Sequence, residues 1–214
     1  MGDDCQQYGL AIHTSSPELG LAVSNFNGET RSQTWNLGRD LSTQLHQYLA
    51  EFIQPQHWSD LKCIAVAKGP GSFTGTRMGV VTARILAQQL NIPLFSISTL
   101  AGMAWSILKK DIQLDNLSEH LALQMQAQRG QVFVGIYEKK DSLIECFPNQ
   151  VMSPESWKNT LDNWQNPYKL VKLEGGLGDS AISLLELANL DLQQGQCPHW
   201  SEALPFYGQH PVDL

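Results

Sequence analysis

Apolar positions along this chain fall into short continuous runs and longer runs spaced three and four apart, and the two kinds alternate in the same order twice. Residues 8–13 are apolar, Ser15-Ser16-Pro17-Glu18 turns the chain, and 19–24 are apolar again, which predicts a strand pair. Asn25-Phe26-Asn27-Gly28 is a second turn, where Asn-Gly supplies the positive φ of a tight hairpin. An alternating, largely polar third strand follows over 29–37. Leu41, Leu45, Tyr48 and Phe52, with Leu49 and Ile53 beside them, repeat at helical spacing until Gln54-Pro55, the pattern of an amphipathic helix. Ile64-Ala65-Val66-Ala67 predicts a buried strand. A long helix over 76–90 is stopped by Asn91-Ile92-Pro93. A strand over 93–98 and a helix over 99–109 complete the first series.

Between the buried strand and the long helix lies Gly69-Pro70-Gly71-Ser72-Phe73-Thr74-Gly75-Thr76-Arg77-Met78-Gly79. Pro70 between two glycines forces a turn. From Gly71 a small residue recurs every fourth position, at Gly75, Gly79, Ala83 and Ala87, so one helical face lets another backbone approach closely. Met78, Val81 and Ile85 form a second apolar stripe, about 100° or more around the axis. A helix apolar on two sides is buried on two sides. The small face is expected on its own sheet, while the stripe needs a partner. That partner is expected to pack on this helix and the 41–53 helix together, as a four-helix bundle. Leu45, Leu49, Phe73, Arg77, Met78, Val81, Arg84 and Ile85 make up the expected association surface. Were the stripe turned inward instead, the small row would face solvent.

The second half repeats the order. Strands are predicted over 121–126 and 131–138 around Gln128-Arg129-Gly130, then over 142–147. A helix over 154–164 has Ser153 as N-cap and Pro154 at its first position. A strand over 169–173, the loop Glu174-Gly175-Gly176-Leu177-Gly178 and a helix over 179–190 follow. Three antiparallel strands joined to parallel ones by helical crossovers make a ribonuclease-H-like sheet. Two in succession predict an α/β fold of the ASKHA (actin/sugar-kinase-like) type, with mixed sheets flanked by helices. The polar, acidic stretch over 110–120 divides it into an N-terminal lobe over 1–110, carrying the glycine loop and interface helices, and a smaller, degenerate repeat over 111–214. The last residues are expected to return to the first lobe.

Composition narrows the function. The chain has 214 residues, 42% of them hydrophobic, and a formal net charge of −7. That balance argues against broad contact with a nucleic-acid backbone. Cys5, Cys63, Cys146 and Cys197 are far apart and form no CxxC pair, so reduced thiols are expected, with Cys63 an inert core residue. The acidic start, Met1-Gly2-Asp3-Asp4, is unlike a signal peptide, and no run is long enough to cross a membrane. A cytoplasmic protein without membrane contact is expected.

The loop GPGSFTGTRMG, followed by a helix and IPLFSISTL, resembles the bacterial TsaB (YeaZ) family closely. AIHTSSPELGLAV is similar to that family's first hairpin and RGQVFVGIY to its second. The resemblance spans nearly the whole chain, though only the glycine loop is highly specific. It implies the ASKHA fold and an accessory, dimerization subunit for making N6-threonylcarbamoyladenosine in tRNA. Its implied partners are a TsaD-like transferase subunit and a TsaE-like ATPase, with a homodimer when alone and tRNA reached only indirectly. Several positions depart from the pattern. His13-Thr14-Ser15 stands where the family has Asp-Thr-Ser, and Gln126-Ala127-Gln128 where it has Asp-Ala-Arg. Pro205-Phe206-Tyr207-Gly208-Gln209 stands for Pro-x-Tyr-Leu-Arg.

Candidate chemistry is sparse. The glycine loop lacks the Gly-Lys-Ser/Thr of a Walker A motif, and Ser72 lacks the second glycine of a nucleophile elbow. Thr14, Gly69, Gly71 and Ser72 remain as a candidate nucleotide or phosphate loop. His13 does not replace a carboxylate toward Mg²⁺, which takes oxygen ligands. Histidines 13, 46, 57, 120, 199 and 210 show neither HExxH nor an i, i+4 pair, so no metal and no catalytic residue is expected. The chain itself is expected to hold no cofactor; ATP or ADP with Mg²⁺ belongs, if anywhere, at a partner interface. The reading is a scaffold subunit that is not an enzyme by itself. Three alternatives remain: a sugar-kinase-type phosphotransferase, a metallopeptidase, and a homodimeric binding module outside the tRNA pathway.

Overall fold

The structure is a computed structural model that describes residues 7–110 and 120–208. Cys5 and the acidic N-terminal residues, the interior of the polar stretch before His120, and Gln209 and His210 lie outside the described residues. The first strands form a meander: β1 (Tyr8–His13) pairs antiparallel with β2 (Glu18–Ser24), and β2 with β3 (Thr30–Asn36). Helix α1 (Leu41–Phe52) crosses to β4 (Leu61–Ala67), parallel to β1. Helix α2 (Phe73–Leu90) crosses to β5 (Leu94–Ile97), parallel to β4. The sheet order is β3-β2-β1-β4-β5. After α3 (Thr99–Lys110) the series restarts with β6 (His120–Gln126), β7 (Val132–Lys139) and β8 (Leu143–Met152), each antiparallel to the one before. Helix α4 (Pro154–Asp162) leads to β9 (Tyr168–Leu173), parallel to β6, and α5 (Ala181–Gln193) follows.

The second sheet has the order β8-β7-β6-β9. Thus β6 stands in its sheet as β1 does in the first, between an antiparallel and a parallel neighbour. The fold is the duplicated ribonuclease-H-like, ASKHA-type arrangement expected from the order of elements. Among the described residues the second sheet has no fifth strand.

Burial explains the strand sequences. Tyr8, Leu10 and Ile12 of β1 turn to one side, where Leu41, Leu45, Leu49 and Phe52 of α1 and Val80, Ala83 and Ala87 of α2 meet them. On the other side Ala11, Ala22, Cys63, Ala65 and Ala67 make a shallow surface, on which α5 lays Leu184, Leu185 and Ala188. The second sheet is covered in turn by Leu100, Ala104 and Leu108 of α3, packed on Leu121, Leu123 and Tyr137. Each sheet therefore takes one covering helix from the other half of the chain.

Several expectations need correction. Leu45 and Leu49 are 1% and 3% exposed and belong to the core, so neither forms part of an outer surface. The only apolar stripe of α1 is used by its own sheet, and Ser42, Thr43, His46, Gln47, Ala50 and Glu51 face outward. The turn after β2 has positive φ at Phe26 and Gly28 rather than at Asn27 and Gly28. It is closed by Asn25 Oδ1, which accepts from the backbone N–H of Asn27 and Glu29. Strand β8 continues to Met152 through Pro148, which an edge strand tolerates because no neighbour needs that N–H. Helix α2 starts at Phe73, not at 76, because Ser72 Oγ accepts from Gly75 N and caps it.

Candidate functional site

The turn after β1 and the glycine loop after β4 meet backbone to backbone. Ser72 N donates to Ser15 O at 2.7 Å, and Thr14 Oγ1 donates to Gly75 O at 2.8 Å. A Cβ on Gly71 would lie 2.0 Å from Ser15 O, and one on Gly75 2.1 Å from Thr14 O. The small row of α2 is thus the surface that admits the first turn. Gly69, at φ 95°, is held from two sides: its carbonyl accepts from Thr99 N, and a Cβ there would lie 2.3 Å from Phe206 O.

This junction corrects the candidate phosphate loop. Thr14 is fully buried and Gly69 is enclosed by Phe206, so neither reaches a ligand in the cleft. Gly71 and Ser72 do line it. The loop uses its donors internally, with Gly75 N on Ser72 Oγ and Thr76 N on Ser72 O. The cleft between the lobes encloses about 900 Å³, bounded by Ser15, Ser16, Ser72 and Phe73 on one side and by Gln124, Gln126, Gln128 and Phe133 on the other. Lys172, Glu174 and Tyr207 complete its rim. Hydroxyls, amides and one pair of opposite charges share this lining with Phe73, Met125, Phe133, Leu173 and Leu177, without a carboxylate cluster.

Beside it sits His13, with no exposure and neither ring nitrogen hydrogen-bonded. Burial pushes its pKa down to about 4 against the opposing pull of Glu18, so the ring is neutral at pH 7. An unfolded histidine titrates near 6.5. Protons therefore bind the unfolded chain first: stability is full above about pH 6.5 and declines as pH falls toward 4. From about pH 7 to about pH 5 this group should remove about 2 kcal/mol. Urea unfolding at both pH values should show that loss in the wild type and a much smaller one in His13→Gln. Equal losses would mean that His13 is not the group responsible. Cys63, by contrast, is an inert core thiol, its pKa pushed up to about 12 by burial.

The outer face of α2 is the other feature. Val81 and Ile85 are 50% and 55% exposed, while the opposite side of the helix, from Gly75 to Ala87, is buried. Met78 is half-buried against the core. Arg77 is exposed with its guanidinium 5.5 Å from the centre of the Phe73 ring, and Phe73 stacks on Tyr207 at 4.5 Å. Phe73, Arg77, Met78, Val81, Arg84 and Ile85 therefore share one helix, and α1 contributes neither of the leucines expected beside them.

A family model for TsaD, tRNA N6-adenosine threonylcarbamoyltransferase, matches residues 38–182. The tRNA threonylcarbamoyladenosine biosynthesis protein TsaB of Bacillus subtilis is 34% identical over 164 residues, which cover 74% of this chain and 67% of that protein. The chain belongs to the TsaB (YeaZ) family. TsaB of Escherichia coli is 31% identical over 137 residues, covering 63% of this chain and 57% of the relative. YeaZ from Pseudomonas aeruginosa superposes with a TM-score of 0.74 at 22% identity, over 94% of this chain and all of that one. A second Pseudomonas aeruginosa structure, described as similar to peptidase YEAZ, gives 0.77 at 22% identity, over 95% and 100% of the two chains.

The structure also brings together one group that the sequence did not suggest. His120, Glu138 and Cys146 stand on neighbouring strands β6, β7 and β8 with their ligand-type atoms within 4.8 Å of one another. Two of the three are already engaged by protein partners. Trp164 Nε1 donates to His120 Nδ1 at 3.2 Å, which occupies the lone pair on that nitrogen. Glu138 is paired with Lys140 at 3.1 Å. Strand register, invisible in spacing, created the cluster. Tyr207, in the Pro205-Phe206-Tyr207 motif, is likewise brought against Phe73 by tertiary packing that its sequence position does not signal. No helix among the described residues is long and apolar enough to cross a membrane.

Proposed function

We propose that this chain is the non-catalytic accessory subunit of N6-threonylcarbamoyladenosine formation in tRNA, and that it docks a TsaD-like threonylcarbamoyltransferase through the outer face of α2. The names of its relatives supply the pathway. The observation that carries the docking role is the exposed Val81–Ile85 stripe on a helix already buried along its other side. An apolar stripe left outward in this way marks an association surface. A self-dimer of the isolated chain would use the same face, and a TsaE-like ATPase joins as a further subunit. With a net charge of −7, tRNA is held by other subunits. ATP or ADP with Mg²⁺ belongs to a partner interface: the turn after β1 offers a buried, neutral His13 where Mg²⁺ would require oxygen ligands. The setting is the cytoplasm.

Reconstitution tests this reading. The chain alone should turn over neither ATP with Mg²⁺ nor a generic peptide with Zn²⁺. Adding it to the purified TsaD-like subunit and the remaining components should be required for modified tRNA to form. Turnover by the chain alone that chelator abolishes, or tRNA modification indifferent to its presence, would overturn the proposal.

A further inference from the structure

The outward face of α2 carries charge as well as apolar surface, and the charge is of one sign. Between Phe73 and Leu90 there are two arginines and no acid, in a chain whose formal net charge is −7. At about 100° per residue, Arg77, Val81, Arg84 and Ile85 fall within about a quarter to a third of the helix circumference. Neither arginine has an ion-pair partner among the described residues, where the salt bridges are Lys109–Glu186 and Lys140–Glu138. The guanidinium of Arg77 lies over the ring of Phe73. On the outward side of α1 the single carboxylate is Glu51, which already accepts from Gln47 Nε2 at 2.9 Å.

We infer that the α2 face selects a partner whose own helix face is apolar and flanked by carboxylates, in preference to a second copy of this chain. The inference rests on the reading of α2 as the docking face and adds what chooses the occupant. A symmetric contact between two copies sets like against like. If the two α2 helices ran antiparallel about an axis at Val81, residue 84 of each copy would lie beside residue 78 of the other, one position from Arg77. If they ran parallel, each arginine would face its own counterpart. Either arrangement gathers guanidinium groups in a contact emptied of water, where their repulsion is weakly screened. Carboxylates at the same places turn each repulsion into a charge-assisted, two-pronged hydrogen bond. Like-charge juxtaposition of this kind suppresses the wrong partner.

The experiment compares wild type, Arg77→Glu/Arg84→Glu and Val81→Glu by analytical ultracentrifugation, alone and with the purified TsaD-like subunit, at low and high salt. Thermal melting confirms that each variant folds; Arg77→Glu alone, at an exposed position, serves if the double variant does not. The double reversal should weaken the mixed complex about a hundredfold. Added salt should weaken that complex and tighten self-association of the wild type, because it screens attraction in one and repulsion in the other. Mixing wild type with the reversed variant should give a dimer about tenfold tighter than wild type alone. A mixed complex unaffected by the reversal, or wild-type self-association that weakens with salt, would overturn the inference. Should Val81→Glu break the mixed complex while the arginine reversal does not, only the charge selection falls. Should Val81→Glu leave that complex intact, the docking face itself has been misassigned.

Discussion

Val81→Glu is expected to keep its fold and lose its transferase complex. Val81 is half exposed at the centre of the outer stripe of α2, so the substitution removes little from the core. The new carboxylate has Arg77 four residues before it and Arg84 three residues after it, spacings at which a helix supports opposite charges. In the assembled complex the same carboxylate must be stripped of water or must open the contact. Either costs several kcal/mol, about a hundredfold or more in affinity. Sedimentation should show the subunits apart while the circular dichroism melt stays within a few degrees of wild type. Persistence of the complex, or a collapsed melt, would mean that the stripe is not an association surface.

Gly75→Val should do the opposite, leaving the outer stripe untouched and destabilising the fold. A Cβ at that position lies 2.1 Å from the carbonyl oxygen of Thr14, and a backbone oxygen does not swing aside as a side-chain tip does. Relief requires α2 to lift from the first turn, which breaks the 2.8 Å bond from Thr14 Oγ1 to Gly75 O. Overpacking costs about 1–3 kcal/mol and a buried hydrogen bond about 1 kcal/mol more. A combined loss of about 2–4 kcal/mol corresponds to a fall in melting temperature on the order of 10 °C for a chain of this size. Thr74→Ala, at an exposed site on the same turn, is expected to melt like wild type. A Gly75→Val protein that also melts like wild type would refute the close-contact account of the glycine row.

What was legible in the sequence was what local periodicity encodes. The four-residue row of small side chains announced that α2 meets a backbone, and that backbone is Thr14 and Ser15. The repeated order of strands and helices announced the duplication, and both sheets place a central strand between one antiparallel and one parallel neighbour. The stripe of Leu41, Leu45 and Leu49 was just as visible, but an apolar stripe reads the same whether a sheet or another protein covers it. Only tertiary packing shows that the chain's own sheet does so. The juxtaposition of His120, Glu138 and Cys146 depends on register across three strands, which no single window of sequence contains. Thr14 looked available because it sits in a turn; the helix packed on it removes it from solvent.

The exchange of α3 and α5 between the two sheets bears on how the chain can be made. During synthesis the alanine-rich face of the first sheet waits for Ala181–Gln193, which emerges after the rest of both sheets has been translated. The second sheet, by contrast, meets a cover, α3, that is already outside the ribosome when its first strand appears. The nascent N-terminal half is therefore committed to holding an open hydrophobic surface for most of translation, and a gene cut near residue 110 would give two polypeptides each missing a wall.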